Sequence, residues 1–284
     1  YTPPGRGFTP RPTPRAAREL EGIYRGYLGS SYWWSEQFML TLHGVCEKLF
    51  SYALRSGGSA LDLGCNRGVH LVELANFAGP NQRVVGVDAN IAMLDMAREA
   101  LGPNADRVEL VHLAVVPTFS SKETVTFYVS DEWIELGSLD RRNVSSKFDN
   151  EQNSSVMSIE VPCMTVDQLI ARMRLDNLSF VKIDVEGVDL AIILGASRLF
   201  ESKPILYFEY SRTQGYSTTA QSYEKLARLG YRLFDCFMNE LDRWTFVHPA
   251  LCPIDRIAIP AYTPDSDIAF LRRELTSMFA NEVH

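Results

Sequence analysis

The run SFVKIDVEGVDL, Ser179 to Leu190, places Lys182, Asp184 and Glu186 at every second position. On a strand, that spacing puts three charges on one face and Val181, Ile183 and Val185 on the other. A central strand of a parallel sheet is covered on both faces and ordinarily reads as nearly continuous apolar sequence. Burying unpaired charges costs on the order of several kcal/mol each, so the charged face marks the floor of an active site. Asp184, at the expected carboxyl end of the strand, can receive a proton from an acceptor hydroxyl or orient that hydroxyl. Glu186 follows at the turn. Glu209, at the end of ILYFEYS (205–211), completes an acidic cluster. Lys182 has two roles open to it: neutralising the cluster, or taking the proton itself if burial lowers its pKa. Three carboxylates at adjacent strand ends also offer the oxygen donors that Mg²⁺ prefers. No Asp-Asn pair follows the 205–211 strand, and no residue is assigned as a metal ligand.

A second constellation lies upstream. In ALDLGCNRGVHLVELA, Gly64 and Gly68 fall between a strand and a helix. Gly64 allows the sharp turn, and Gly68 is expected to let the backbone approach a ligand at the helix N-terminus. Asp88 ends the next strand, 24 residues after Gly64, where an acid can accept hydrogen bonds from ribose hydroxyls. Asn66 stands where a G-x-G-x-x-G fingerprint needs glycine, which argues against a dinucleotide pyrophosphate and an NAD-linked oxidoreductase. Asp62, just before the turn, would repel a pyrophosphate but suits a cationic amino group. Asp62 with Asp88 therefore fits a nucleoside carrying an aminoacyl tail, which describes S-adenosylmethionine.

ALDLGCNRG, VVGVDAN, FVKIDVEG and PILYFEY together resemble the motifs of the FkbM family of S-adenosylmethionine-dependent methyltransferases, in the right order over roughly residues 59–261. The resemblance implies a Rossmann-like fold and methyl transfer to a hydroxyl of a small molecule, such as a sugar or polyketide-like natural product. An N-methyltransferase and a non-catalytic nucleoside-binding module are the alternatives. By the family pattern Asp62, Gly64, Cys65, Asn66, Gly68, Asp88 and Ala89 fall in the cofactor site, and Ala114 lies near the adenine. Many family members end the second strand with Glu-Pro; here Asp88-Ala89 stands instead, and either acid can hold the ribose.

The elements that must position these residues alternate. Strands are expected at 60–65, 83–89, 108–115, 125–130, at the start of 158–173, at 179–187, 205–211 and 231–237, with 245–248 and 255–261 closing the sheet. Helices are expected between them, one capped by Thr165. Such alternation gives an α/β fold: a doubly wound, mostly parallel seven-stranded sheet with ligands at the carboxyl ends of the strands. Before it come a Pro-rich leader (1–14) and a helical extension (15–58) with helices at 15–27 and 35–54, packed by Trp33 and Trp34. Within the main domain (59–261), the polar insert 131–160, with Trp133, Ser138 and Arg141, is a candidate substrate lid. A C-terminal helix occupies 262–284. His70, beside the glycine loop, His112, inside a strand, and His248, in a loop, read first as packing or surface residues.

The chain of 284 residues carries a net charge of −7, which disfavours nucleic-acid binding through phosphates. Its five scattered cysteines form no C-x-x-C pair and read as free thiols of a cytoplasmic protein. No apolar run approaches the roughly 20 residues of a membrane span, and no secretory signal is visible. The expected partner is a small-molecule acceptor; a homodimer is left open.

Overall fold

In the computed structural model, the described residues are 36–119, 121–130, 137–145, 156–210, 215–247 and 255–280. The leader, the first expected helix, Trp33, Trp34, Trp133, His248 and much of the insert lie outside them. The first elements are α1 (Glu36–Ala53), β1 (Ser59–Leu63), α2 (Val69–Phe77), β2 (Val84–Asp88), α3 (Ile91–Leu101) and β3 (Val108–His112). There follow β4 (Ala114–Val115), β5 (Thr124–Ser130), β6 (Gly137–Ser138), α4 (Arg141–Ser145), β7 (Val156–Met164) and α5 (Val166–Met173). The last part holds β8 (Leu178–Ile183), α6 (Asp189–Gly195), β9 (Ile205–Phe208), α7 (Gly215–Arg228), β10 (Tyr231–Asp235), α8 (Arg243–Val247), β11 (Arg256–Pro260) and α9 (Asp265–Ala280).

Seven strands form the main sheet in the order β10-β11-β9-β8-β1-β2-β3. β11 runs antiparallel to both neighbours, and the remaining pairs are parallel. The sheet is therefore mixed, but its centre is the expected doubly wound Rossmann-like arrangement. From β1 the chain builds outward through β2 and β3, then crosses back to β8 and β9 on the other side. The reversal falls between β1 and β8, the place where such sheets open a crevice.

The strands are apolar on both faces. Ala60, Val84, Phe180, Ile205 and Ile257 pack beneath α1, α2, α3 and α9. Leu61, Leu63, Val85, Val181, Ile183 and Leu206 pack beneath α5, α6 and α7. Local signals set the helix ends. Asn90 caps α3 by accepting the Ala92 N–H; Thr165 caps α5, as the sequence predicts, and Gln168 completes a reciprocal capping box there. Among the described residues, no helix is long and apolar enough to cross a membrane.

Three expectations need correction. The 108–115 strand is two strands: β3 stays in the main sheet, and β4 joins β7, β5 and β6 in a separate four-stranded sheet. The 125–130 and 158–164 strands belong to that side sheet rather than to the main alternation. Residues 245–248 do not close the main sheet. Asp242 accepts the Thr245 N–H at 2.7 Å and starts α8, so Thr245, Phe246 and Val247 are helical.

Candidate active site

The register of the central strands builds the site in two rows on the face beneath α1 and α2. Asp62 of β1 is the Cα partner of Lys182 of β8, which is in turn the partner of Tyr207 of β9. The next row lies just past the strand ends. There Gly64, Asp184 and Glu209 each donate an N–H to the neighbouring strand, to Val87, Leu63 and Ile183 respectively. The deeper row is buried and the upper row opens to the cleft.

Lys182 is 4% exposed, with its Nζ 2.8 Å from Asp184 Oδ2 and 3.7 Å from Asp62 Oδ1. Burial opposes its charge, but the carboxylates of Asp184 and Asp62 outweigh burial and hold its pKa above the ordinary lysine value. The two carboxylates therefore favour the ammonium form of Lys182, which is what the neutralising role needs. Asp62 is fully buried, and neither of its oxygens has a hydrogen bond. Burial pushes its pKa up to about 6 against the pull of Lys182.

A cavity opens over this edge, lined among others by Gly64, Asn66, Asp88, Ala89, Ala114 and Asp184. Asp88 Oδ2 accepts the Asn66 N–H at 2.9 Å, and Oδ1 accepts the Asn90 N–H at 2.8 Å. Burial still raises its pKa, with these two amides opposing the rise. Gly64 has φ of +79°, and a Cβ there would lie 1.7 Å from the Asp184 carbonyl oxygen, so only glycine lets the two strand ends meet. Ala89 and Ala114 pack with Phe127, Val129 and Val161 of the side sheet to make an apolar wall. Their small side chains leave room for a flat ring.

Gly68, Cys65 and Asp62 are not among the residues lining this cavity. Gly68 caps α2 with φ of +82°, and a Cβ there would sit 2.8 Å from Ala97 Cβ, so glycine is needed for α2 and α3 to pack. The Cys65 side chain is buried in the core beneath α2. Asp62 lies behind Lys182 and does not line the cavity. Glu186 has left the strand: the last β8 residue is Ile183, and Glu186 sits in a left-handed turn with φ of +55°. The alternation that pairs Lys182 with Asp184 therefore does not extend to it, although Glu186 does line the cavity.

Asp189 and Asp255 join the acids that the sequence singled out. Carboxylate oxygens of Asp184, Asp189 and Glu209 lie within 4.8 Å of one another. The carboxyl of Glu209 is pushed up to about 10 by burial, then by Asp184, Asp189, Glu186 and Asp255. Burial and Asp184 raise Asp189 to about 7 and Asp255 to about 6. Asp189 accepts the Val185 N–H at 2.9 Å and the Gly187 N–H at 3.2 Å; Asp255 accepts the Tyr207 hydroxyl. Of these carboxyls Glu209 is the one held protonated at neutral pH; the cluster puts Asp189 in the place that the sequence reading gave to Glu186. The signal for Asp255 was an acid opening the DRIAIPA strand, which shares this rim because β11 is antiparallel.

His43 of α1 and His70 of α2 meet edge-on with ring centroids 4.9 Å apart. Burial and the nearby Lys182 ammonium lower both pKa values, His70 the further. Nothing in the sequence paired them. The His112 Nε2 donates to the Ala89 carbonyl at 3.0 Å and braces the cavity wall, a structural role.

With this geometry in place, comparison with known proteins is decisive at the level of family. The methyltransferase FkbM domain matches residues 62–233. The chain belongs to that family. The match runs from Asp62 into β10 and so contains both rows of the rim. An uncharacterized 37.1 kDa protein in transposon TN4556 of Streptomyces fradiae is 32% identical over 100 residues, covering 34% of this chain and 29% of that protein. The chain thus spans under a third of that curated relative's length. Similar solved structures include the O-methyltransferase from Bacillus cereus in complex with S-adenosylhomocysteine (14% identity, 89% of this chain and 93% of that one, TM-score 0.43). A putative caffeoyl-CoA O-methyltransferase from Staphylococcus aureus is another (12% identity, 87% and 99%, TM-score 0.42).

Proposed function

We propose that this chain is an S-adenosylmethionine-dependent methyltransferase acting on a hydroxyl of a small molecule, with sugars and polyketide-like alcohols as the acceptor class. The observation that carries the reading is the cavity shared by Asp88 and Asp184, one acid at each side of Gly64. The residues fit the cofactor. Asp88, already aligned by two backbone amides, keeps lone pairs for ribose hydroxyls. Ala89, Ala114 and Phe127 supply the apolar wall for adenine. Asp62, with two buried oxygens lacking any hydrogen bond, adds the negative potential that favours a cationic ligand at this end of β1.

When bound, S-adenosylmethionine supplies a methyl group on a sulfonium, already an activated leaving group. The protein's task is then orientation and proton management. Asp184 is 42% exposed at the side chain, the one member of the Asp62–Lys182–Asp184 chain that reaches the cleft. It orients the acceptor hydroxyl and receives its proton, while Lys182 beneath fixes the carboxylate. Glu209 and Asp189 lie behind Asp184 as protonated or proton-sharing carboxyls, able to redistribute that proton.

The test is Asp184→Asn, which keeps size and loses the charge. Turnover should fall by roughly a hundredfold or more, the range for removing a general base, with S-adenosylhomocysteine affinity by calorimetry nearly unchanged. Undiminished turnover removes Asp184 from the mechanism. A chain that fails to bind S-adenosylhomocysteine at all refutes the cofactor assignment.

A further inference from the structure

The turn after β8 is held by a segment that the reaction chemistry does not require. Glu186 and Gly187 are consecutive left-handed residues, with φ of +55° and +100°. For glutamate that conformation is costly and persists only where the surroundings over-determine it. Two sets of hydrogen bonds do so. From below, the Asp189 carboxylate accepts the N–H groups of Val185 and Gly187. From above, one carbonyl takes two donors: Ser138 Oγ at 2.7 Å and Asn143 Nδ2 at 3.0 Å, both on the Glu186 oxygen.

Both donors come from residues 137–145, the described middle of the polar insert. Ser138 is 1% exposed, an unusual burial for an insert hydroxyl. Its Oγ also accepts the Asp140 N–H at 3.1 Å, and Val144, fully buried, anchors the segment. The residues flanking Ser138 face the other way: Gly137 and Leu139 line the cavity together with Asp184, Val185 and Glu186. A Cβ on Gly137 would lie 2.5 Å from the Phe127 ring, so the segment is pressed against the cavity wall. One short piece of chain thus forms part of the cavity wall on one side and fixes the Glu186 backbone on the other.

We propose that Ser138 and Asn143 are positioning residues: by locking the Glu186 carbonyl they set the Asp184–Glu186 carboxylates in the arrangement that methyl transfer needs. The proposal rests on the methyltransferase reading above. It assigns the insert to shaping the reacting edge rather than to holding the cofactor, since neither donor faces the cavity.

The experiment compares Ser138→Ala, Asn143→Ala, the double variant and Ser138→Thr, which keeps the hydroxyl. Four readouts are taken: melting, S-adenosylhomocysteine affinity by calorimetry, turnover on whichever hydroxyl acceptor the wild-type protein methylates in a panel of sugars and polyketide alcohols, and hydrogen exchange at the Val185 and Gly187 amides. At about one hydrogen bond per donor, kcat should fall roughly fivefold in either single alanine variant and roughly thirtyfold in the double. Exchange at the two amides should accelerate in parallel, cofactor-product affinity should stay within about twofold, and Ser138→Thr should recover most of the loss. Unchanged exchange in the double variant overturns the lock. Faster exchange with unchanged kcat overturns its catalytic meaning, and so does an equal loss of affinity and turnover. A wild-type protein that binds S-adenosylhomocysteine yet methylates none of the panel counts against the hydroxyl reading instead. The exchange measurement then still decides whether the lock exists.

Discussion

The two sides of the rim handle negative charge in different ways. At the β1–β2 side, fixed donors oppose burial: two backbone amides on Asp88, and the Lys182 ammonium beside Asp62. At the β8–β9–β11 side, every cause acting on Glu209 pushes in one direction, toward keeping its proton. The first arrangement favours carboxylates poised to accept hydrogen bonds from a ligand. The second favours carboxyls that store and pass protons. Asp184 lies where the two meet, paired with Lys182 on one side and crowded by Asp189 and Glu209 on the other. A sheet whose strand order reverses at β1/β8 brings a ligand-holding edge and a proton-handling edge side by side without any insertion.

Lys182 joins the two sides, so its removal is expected to have the largest effect. Lys182→Met leaves Asp62 buried with no ammonium within reach. Breaking a buried pair in this way costs about 3–5 kcal/mol, measurable as a lower midpoint in urea. Adding Asp62→Asn should recover more than half of that loss, because the stranded charge is then gone. Additive effects of the two substitutions would show that Asp62 does not depend on Lys182.

Asp88→Asn sharpens the contrast from the ligand-holding side. The amide group presents an NH₂ where one of the two backbone N–H donors needs an acceptor, and it weakens the hydrogen bonds open to a ribose. The expected cost is about 2 kcal/mol in S-adenosylhomocysteine affinity, roughly thirtyfold, beside a loss of about 1–3 kcal/mol in stability for the backbone donor left without an acceptor. Were Glu209→Gln to weaken the same affinity as much, the division between the two sides would fail.

How much of this was legible beforehand divides along the same physical line. The strand–glycine–helix unit at 59–77, the acid ending β2 and the Lys182–Asp184 pair are local patterns, two residues apart or one turn long. The Asp62–Lys182 pairing spans 120 positions and exists only through the parallel register of β1 and β8. The side sheet was misplaced for the same reason, since nothing within 125–130 or 156–164 says which sheet it will join. Residues 245–248 read as a strand on three apolar or β-branched side chains; the helix they form is started by Asp242, whose carboxylate accepts the Thr245 N–H. The alternation carries Glu186 onto the charged face while Gly187 marks a turn at the same place; the structure resolves the two in favour of the turn, with Glu186 at positive φ. The position of Asp62 before the turn points to a cationic partner, but not to the Lys182 ammonium, which stands 3.7 Å from Asp62 and 2.8 Å from Asp184.

A pH series tests the proton-storing side directly. In the folded protein Glu209 keeps its proton up to about pH 10, whereas an unfolded glutamate releases it near pH 4.3. Between those values the folded state binds one proton more than the unfolded state. Stability must therefore fall as pH rises through that window, by at most about 1.4 kcal/mol per pH unit for a single proton. Asp189, raised to about 7, adds to the slope in the lower part of the window. Glu209→Gln is neutral in both states and removes its share. Urea midpoints measured from pH 5 to pH 9 should decline in the wild-type protein and run flatter in the variant, with the gap between them widening as pH rises. Parallel curves would mean that Glu209 is ionised in the folded chain, and that this side of the rim holds its charge with donors just as the β1–β2 side does.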